Sequence, residues 1–278
     1  MSDFIAFDGT RLTYHALGEG NPVIVLPGGP MQDSAYLGDL GGLSSRVRLI
    51  RLDLRGTGES PTTDLASCRC DRLVEDVEAL REQLGLDRVD LLAHSAGTNL
   101  AALYAARYAE RVGALVLVTP STYAVGITIS PDVRRAVIER RKGEPWYGQV
   151  SAAFDSIAAG EGTVEDWEAL VPFTYGRWDD TARAHHAAGE FQRNPDAAEA
   201  YAAEGAFSPD STRAALGALG ATVLVLAGDH DLSAPEAAAA ELADLFPNAK
   251  LVTLARGGHF PWLDDPDWFT ETVASFLA

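Results

Sequence analysis

Seven short runs dominated by Val, Ile and Leu, separated by longer segments of helical period, constrain this chain more than any other feature of its sequence. They are Arg11 to Ala16, Pro22 to Pro27, Arg48 to Asp53, Val89 to Ala93, Ala114 to Val118, Thr222 to Ala227 and Lys250 to Leu254. Several contain an unbroken apolar string, VIVL, LVLV or VLVL, and a strand with no polar alternation is one covered on both faces. Strands of this kind alternating with helices predict an α/β domain, a mostly parallel sheet flanked by helices. From Asp71 to Gly85, Leu73, Val77, Leu80 and Leu84 form one helical stripe that Gly85 can end. The Ala- and Leu-rich segment from Ala96 to Glu110 follows a strand directly and predicts a tightly packed second helix.

Between Ser121 and Leu219 the strand signal disappears. Alanine-rich helical segments take its place, bracketed by breakers at Gly143 to Pro145, Gly160 to Gly162 and Asn194-Pro195, before the alternation resumes at Thr222. The expected organisation is one α/β core, residues 1–120 and 220–278, interrupted by a helical insertion over 121–219.

Charge and composition exclude some functions. With 22 Lys plus Arg against 40 Asp plus Glu, the net charge of −18 argues against nucleic acid, which calls for a clustered positive surface. It also disfavours anionic membranes. A hydrophobic share of 47% supplies a sizeable core. The opening MSDFIAFDGT shows neither signal nor transit character, so a cytoplasmic location is expected. The uncharged stretch Val112 to Pro131 contains Pro120 and Gly126, and reads as a buried strand and loop rather than a membrane span. Cys68 and Cys70 stand too close in a C-x-C pair for ordinary disulfide geometry, and no cluster has zinc spacing. His185 and His186, adjacent on a helix, point in different directions, so no metal is expected.

The chemistry is carried by the strand ends. Leu91-Leu92-Ala93-His94-Ser95-Ala96-Gly97 is a buried strand ending in a serine and followed at once by a helix, the setting of a nucleophile elbow. The alternative is that Ser95 only caps that helix. A serine hydroxyl needs a histidine base, and the base needs a carboxylate to fix its tautomer. His259, in Arg256-Gly257-Gly258-His259-Phe260, lies just past the last strand with two glycines to let its loop turn back. Asp229 and Asp231 both follow the strand before it; Asp231 is preferred because the loop must first leave the sheet. Pro27-Gly28-Gly29-Pro30 ends another strand, and the amides of Gly29 and Ala96 are the expected oxyanion donors. A phosphate loop there would want a G-x-G-x-x-G spacing or a Walker lysine, and neither is present. Asp53-Leu54-Arg55-Gly56-Thr57-Gly58-Glu59-Ser60 reads as a supporting turn with a local Asp–Arg or Arg–Glu pair.

With these five elements in this order the chain resembles the α/β-hydrolase superfamily over essentially its whole length. The P-G-G-P turn, the D-x-R-G-x-G-x-S loop and the closing G-G-H-F look most like the proline iminopeptidase branch. That resemblance implies an α/β-hydrolase fold with a helical cap over 121–219, a Ser95, Asp231 and His259 triad without metal or organic cofactor, and release of an N-terminal residue from a peptide or amide. It also implies cap glutamates for the substrate amine, for which Glu190 and Glu204 are candidates. Two departures stand out. Pro27 replaces the usual His, and Ala93-His94-Ser95-Ala96-Gly97 is closer to the G-H-S-x-G of esterases, lactonases and carbon–carbon-bond hydrolases.

The expected reaction is acyl transfer to water from a small-molecule or short peptide or amide substrate. An acidic protein would attract a cationic amine, so its kcat/KM should fall with added salt. Tyr175 and Trp178, with Trp146, Trp167 and Phe173, either line an acyl pocket or pack the cap. Ser95 at the elbow excludes dehalogenase and epoxide hydrolase chemistry, which need a carboxylate there. A lyase, a cofactor-free oxygenase or a non-catalytic ligand receptor on the same scaffold stay open as alternatives, and the oligomeric state is not readable.

Overall fold

A computed structural model describes residues 1–278. Its eight strands are β1 (Ser2–Ile5), β2 (Arg11–Leu17), β3 (Pro22–Leu26), β4 (Arg48–Leu52), β5 (Val89–His94), β6 (Val112–Val118), β7 (Thr222–Gly228) and β8 (Ala249–Leu254). They form one sheet in the order β1-β2-β4-β3-β5-β6-β7-β8. Pairing is parallel from β4 to β8, while β1 with β2 and β2 with β4 are antiparallel. All seven expected strands are present with ends shifted by two residues at most. Strand β1 was not expected, because its four residues leave only Phe4 buried and carry no solid apolar string.

The uninterrupted strings do what double coverage requires. Along β3, Ile24 and Leu26 enter one core cluster while Val23 and Val25 enter the other, on the opposite face. The first face is covered by α1 (Cys70–Gln83) and α2 (Gly97–Arg107). Leu73, Val77 and Leu80 of α1 are fully buried there, each contributing about 1.5–3 kcal/mol of transfer free energy. Gly85 stops that helix in the left-handed region at φ 67°, its amide and that of Leu86 returning to Glu82 and Arg81 carbonyls.

Between β6 and β7 lie six helices, α3 (Pro131–Glu139), α4 (Tyr147–Ala158), α5 (Val164–Ala169), α6 (Asp180–Gly189), α7 (Pro195–Tyr201) and α8 (Pro209–Leu216). They do not form one uniform insertion. Val137, Ile138, Val150, Phe154 and Phe173 make a small separate core with Leu232. Ala197 and Tyr201 of α7 and Leu216 of α8, in contrast, belong to the main cluster beside α2. The inserted helices thus divide between a small core of their own and the main cluster beside α2.

After β7 come α9 (Glu236–Ala243), and after β8 the short α10 (Pro261–Asp264) and α11 (Pro266–Leu277); α11 covers the second face through Phe269 and Val273. The uncharged stretch after Val112 is β6 followed by loop, and no helix is long and apolar enough to cross a membrane. Cys68 and Cys70 are buried, unlinked thiols.

Candidate active site

Ser95 sits between the end of β5 and the start of α2 with φ 51°, a left-handed conformation uncommon for a residue with a side chain. Its surroundings hold it there. The Ser95 amide donates to Val118 O at 3.0 Å, and its carbonyl accepts from Thr98 Oγ1 at 2.6 Å. Tyr201 of α7 donates to Ala96 O at 2.7 Å. A Cβ at Gly97 would stand 2.6 Å from the carbonyl oxygens of Leu26 and Pro27, so the turn can only be made with glycine at that position. Ala93 carries no such constraint; its methyl is simply buried in the core.

Loops after β7 and β8 bring the remaining groups to Ser95. His259 Nε2 lies 2.8 Å from Ser95 Oγ and His259 Nδ1 lies 2.8 Å from Asp231 Oδ2. An ionised carboxylate only accepts, so Nδ1 carries the proton, and Nε2 is left to accept from the serine hydroxyl. Asp231 is fully buried, and its Oδ1 accepts from the amides of Ser233 at 2.8 Å and Ala234 at 3.0 Å. Asp229 is engaged elsewhere, its Oδ1 accepting from the Arg256 amide at 2.6 Å.

The turn after β3 completes the arrangement. The amide of Gly28 donates to Tyr36 Oη at 2.7 Å, whereas the amides of Gly29 and Ala96 make no hydrogen bond within the protein. Gly29 has φ 116°. Both residues line a cavity of about 450 Å³ with Ser95 and His259.

His94 and Tyr36, which sequence reading passed over, tie these loops together. His94 Nε2 donates to His259 O at 2.9 Å, and Thr119 Oγ1 donates to the same carbonyl at 2.9 Å. With its proton on Nε2, His94 accepts at Nδ1 from Tyr36 Oη at 2.7 Å. Burial, then the neighbouring His259 ring, holds the His94 pKa well below the ordinary value, and burial raises that of Tyr36. The His259 amide donates to Thr174 O at 2.7 Å, fixing His259 from the inserted segment as well. The available signal was His94 itself: on a strand buried on both faces, a polar side chain next to the serine needs partners.

The proposed substrate contacts are not brought to Ser95. Glu190 and Trp178 line a different cavity of about 450 Å³, shared with Trp146 and His186, which has no residue in common with the one at Ser95. Glu190 and Glu204 are exposed. Tyr175 is buried among Phe260 and Trp178, its hydroxyl donating to His185 Nδ1 at 2.8 Å. Arg55 in the supporting turn pairs with Asp76 and Asp8 rather than with Asp53 or Glu59. Asp53 instead braces the turn, accepting from Ser34 Oγ at 2.5 Å and from the Glu59 amide at 3.0 Å. Sequence reading also missed Arg134 of α3, the single permanently charged side chain lining the cavity at Ser95.

Against known proteins, a family profile described as alpha/beta hydrolase fold matches residues 21–266. The chain is 36% identical over 121 residues to the proline iminopeptidase of Heyndrickxia coagulans, a match spanning 42% of each protein. It is 26% identical over 266 residues to a putative carbamate hydrolase of Pseudomonas savastanoi pv. phaseolicola, covering 92% of this chain and 93% of that one. Among solved structures, a thermophilic esterase from Thermogutta terrifontis superposes with a TM-score of 0.69 at 25% identity, covering 99% and 97% of the two chains.

Proposed function

The chain belongs to the alpha/beta hydrolase fold family, and on that premise we propose that it is a serine hydrolase of carboxylic esters or lactones, with Ser95 as nucleophile, His259 as base and Asp231 as the acid that orients it. The supporting observation is the continuous hydrogen-bonded line from Ser95 Oγ through both ring nitrogens of His259 to Asp231, open to a cavity. In the first half-reaction Ser95 Oγ bonds to the substrate carbonyl carbon as its proton passes to His259 Nε2. The free amides of Gly29 and Ala96 donate to the oxygen that becomes negative. Collapse breaks the bond to the leaving oxygen, which takes the proton from Nε2. Water then adds to the acyl-serine with His259 again accepting the proton and returning it to Ser95, so that the acid and the alcohol are the only products.

An ester is preferred to an amino-acyl amide because no carboxylate lines the cavity at Ser95, and a free substrate amine would lack its counter-charge. A second reading, an aminopeptidase, is favoured by the 36% identity to a protein named proline iminopeptidase. A panel of p-nitrophenyl esters, lactones and amino-acyl p-nitroanilides separates them. Ester or lactone turnover, with fluorophosphonate labelling that is lost in Ser95→Ala, is the expected result. Prolyl or alanyl amide cleavage as the faster reaction would favour the second reading, and unchanged turnover in Ser95→Ala would overturn both.

A further inference from the structure

Two cavities meet beside the nucleophile. The one at Ser95, about 450 Å³, and a second of about 500 Å³ under α4 and α5 share Arg134 and Ser233 in their walls. Phe154, Ile157, Trp167, Leu170 and Leu232 make the second chamber mainly apolar. No aspartate or glutamate lines either one, and Arg134 is the only arginine or lysine in both.

That arginine is also without an ionic partner, in a chain that carries 40 carboxylates. Its neighbours show the contrast. Arg135 pairs with Asp155, and Arg140 stands 3.8 Å from Glu236. Arg134 has only a bond from Nη1 to the backbone carbonyl of Ile129 at 3.0 Å, so most of its five N–H donors are uncommitted. The side chain is half-buried on the cavity wall. A guanidinium there, with apolar walls that weaken competition from water, suits a planar anion held by paired N–H groups.

We propose that Arg134 binds a carboxylate of the substrate, so that the preferred esters carry a second, ionised carboxyl group and an apolar chain that fills the chamber under α4 and α5. The proposal rests on the serine hydrolase reading for the bond that is cleaved, but not for the binding itself. It also reverses the charge expected from composition: despite a net charge of −18, the site selects an anion over an amine.

The test compares matched pairs of esters. Mono-p-nitrophenyl adipate against p-nitrophenyl hexanoate places the carboxylate on the acyl side, and p-carboxyphenyl hexanoate against phenyl hexanoate places it on the alcohol side. In at least one pair the ratio of kcat/KM, charged over neutral, should fall 10- to 100-fold in Arg134→Gln, recover in part in Arg134→Lys, and fall furthest in Arg134→Glu. A ratio unchanged by these substitutions in both pairs would overturn the proposal. Calorimetry on Ser95→Ala keeps the two readings apart. Monomethyl adipate should bind at least tenfold tighter than methyl hexanoate, and the difference should vanish when Arg134→Gln is added. Failure of Ser95-dependent hydrolysis with that difference intact would sink the serine mechanism alone. Equal affinity for these two esters, and likewise for p-carboxyphenyl hexanoate and phenyl hexanoate, would sink the Arg134 anchor alone.

Discussion

The ring of His94 donates from Nε2 to the backbone carbonyl of His259 at 2.9 Å. The residue before Ser95 thus holds the loop of His259, and its Nδ1 can accept from Tyr36 Oη only while the ring is neutral. Burial lowers the pKa of His94 well below 6.5, and burial lowers those of His185 and His230 in the same direction. Below pH 6.5 the unfolded chain therefore binds protons that the folded chain refuses. Their stabilisation is complete above pH 6.5 and is lost as pH falls from there toward the folded values, at up to about 1.4 kcal/mol per pH unit for each such histidine. Urea midpoints at pH 7.5 and 5.5 should drop less in His94→Gln than in the wild type, because the amide cannot take up the proton. Identical drops would remove His94 as a source of acid sensitivity.

Of the two candidate acids, only Asp231 reaches His259. Asp231→Asn should lower kcat by about 10³- to 10⁴-fold, since the amide can present a donor to Nδ1 and favour the wrong tautomer. Asp229→Asn should change kcat by no more than a few-fold, because Asp229 Oδ1 is occupied by the Arg256 amide. Steady-state kinetics on a p-nitrophenyl ester distinguishes them, and equal losses would count against the assignment of Asp231.

Gly258 lies where the loop of His259 presses on the segment around Tyr175. A Cβ there would sit 2.4 Å from Gly176 N and 2.5 Å from the Tyr175 carbonyl carbon. Backbone cannot rotate aside as a flexible side chain would. Gly258→Ala should cost about 1–3 kcal/mol of stability and lower kcat as His259 moves. Chemical denaturation together with kinetics checks both, and an unaltered kcat would show that the loop absorbs the methyl elsewhere.

Arg55 is buried, with Nε 2.8 Å from Asp76 Oδ2 and Nη1 2.7 Å from Asp8 Oδ2. Arg55→Ala leaves Asp76, 1% exposed, without its counter-charge, and should destabilise the protein by about 3–5 kcal/mol. Adding Asp76→Leu should recover part of the loss, since the stranded charge is then removed as well. Recovery would appear in the thermal midpoint, and a double variant less stable than Arg55→Ala would contradict the account.

Ionic strength tests the sign of the substrate. A net charge of −18 repels an anionic ester at long range, where salt screens effectively, whereas the close contact with Arg134 is screened less. For mono-p-nitrophenyl adipate, kcat/KM should rise about two- to fivefold between 20 and 300 mM salt. The composition alone pointed to a cationic amine and the opposite slope, and a fall with salt for the anionic ester would restore that view.

Much of this protein was fixed by neighbours in sequence. Strings such as Val23 to Leu26 and Val223 to Leu226 announce strands covered on both faces, because burial pattern is a local consequence of the two-residue period. The elbow was legible for the same reason, since strand, serine, small residue and helix are consecutive. Strand β1 escaped because an antiparallel edge strand needs few apolar residues. What only the tertiary structure decided depends on where separate segments meet. The path of a loop sets Asp231, already preferred from its place past the strand end, against His259, and His94 acquired its role from a carbonyl 165 positions away. Glu190 and Glu204 were set aside, and Arg134 brought to Ser95, by how the inserted helices lie on the sheet. An amphipathic helix tells which face it buries and not what stands opposite, so the charge that greets the substrate could be read only from the packed molecule.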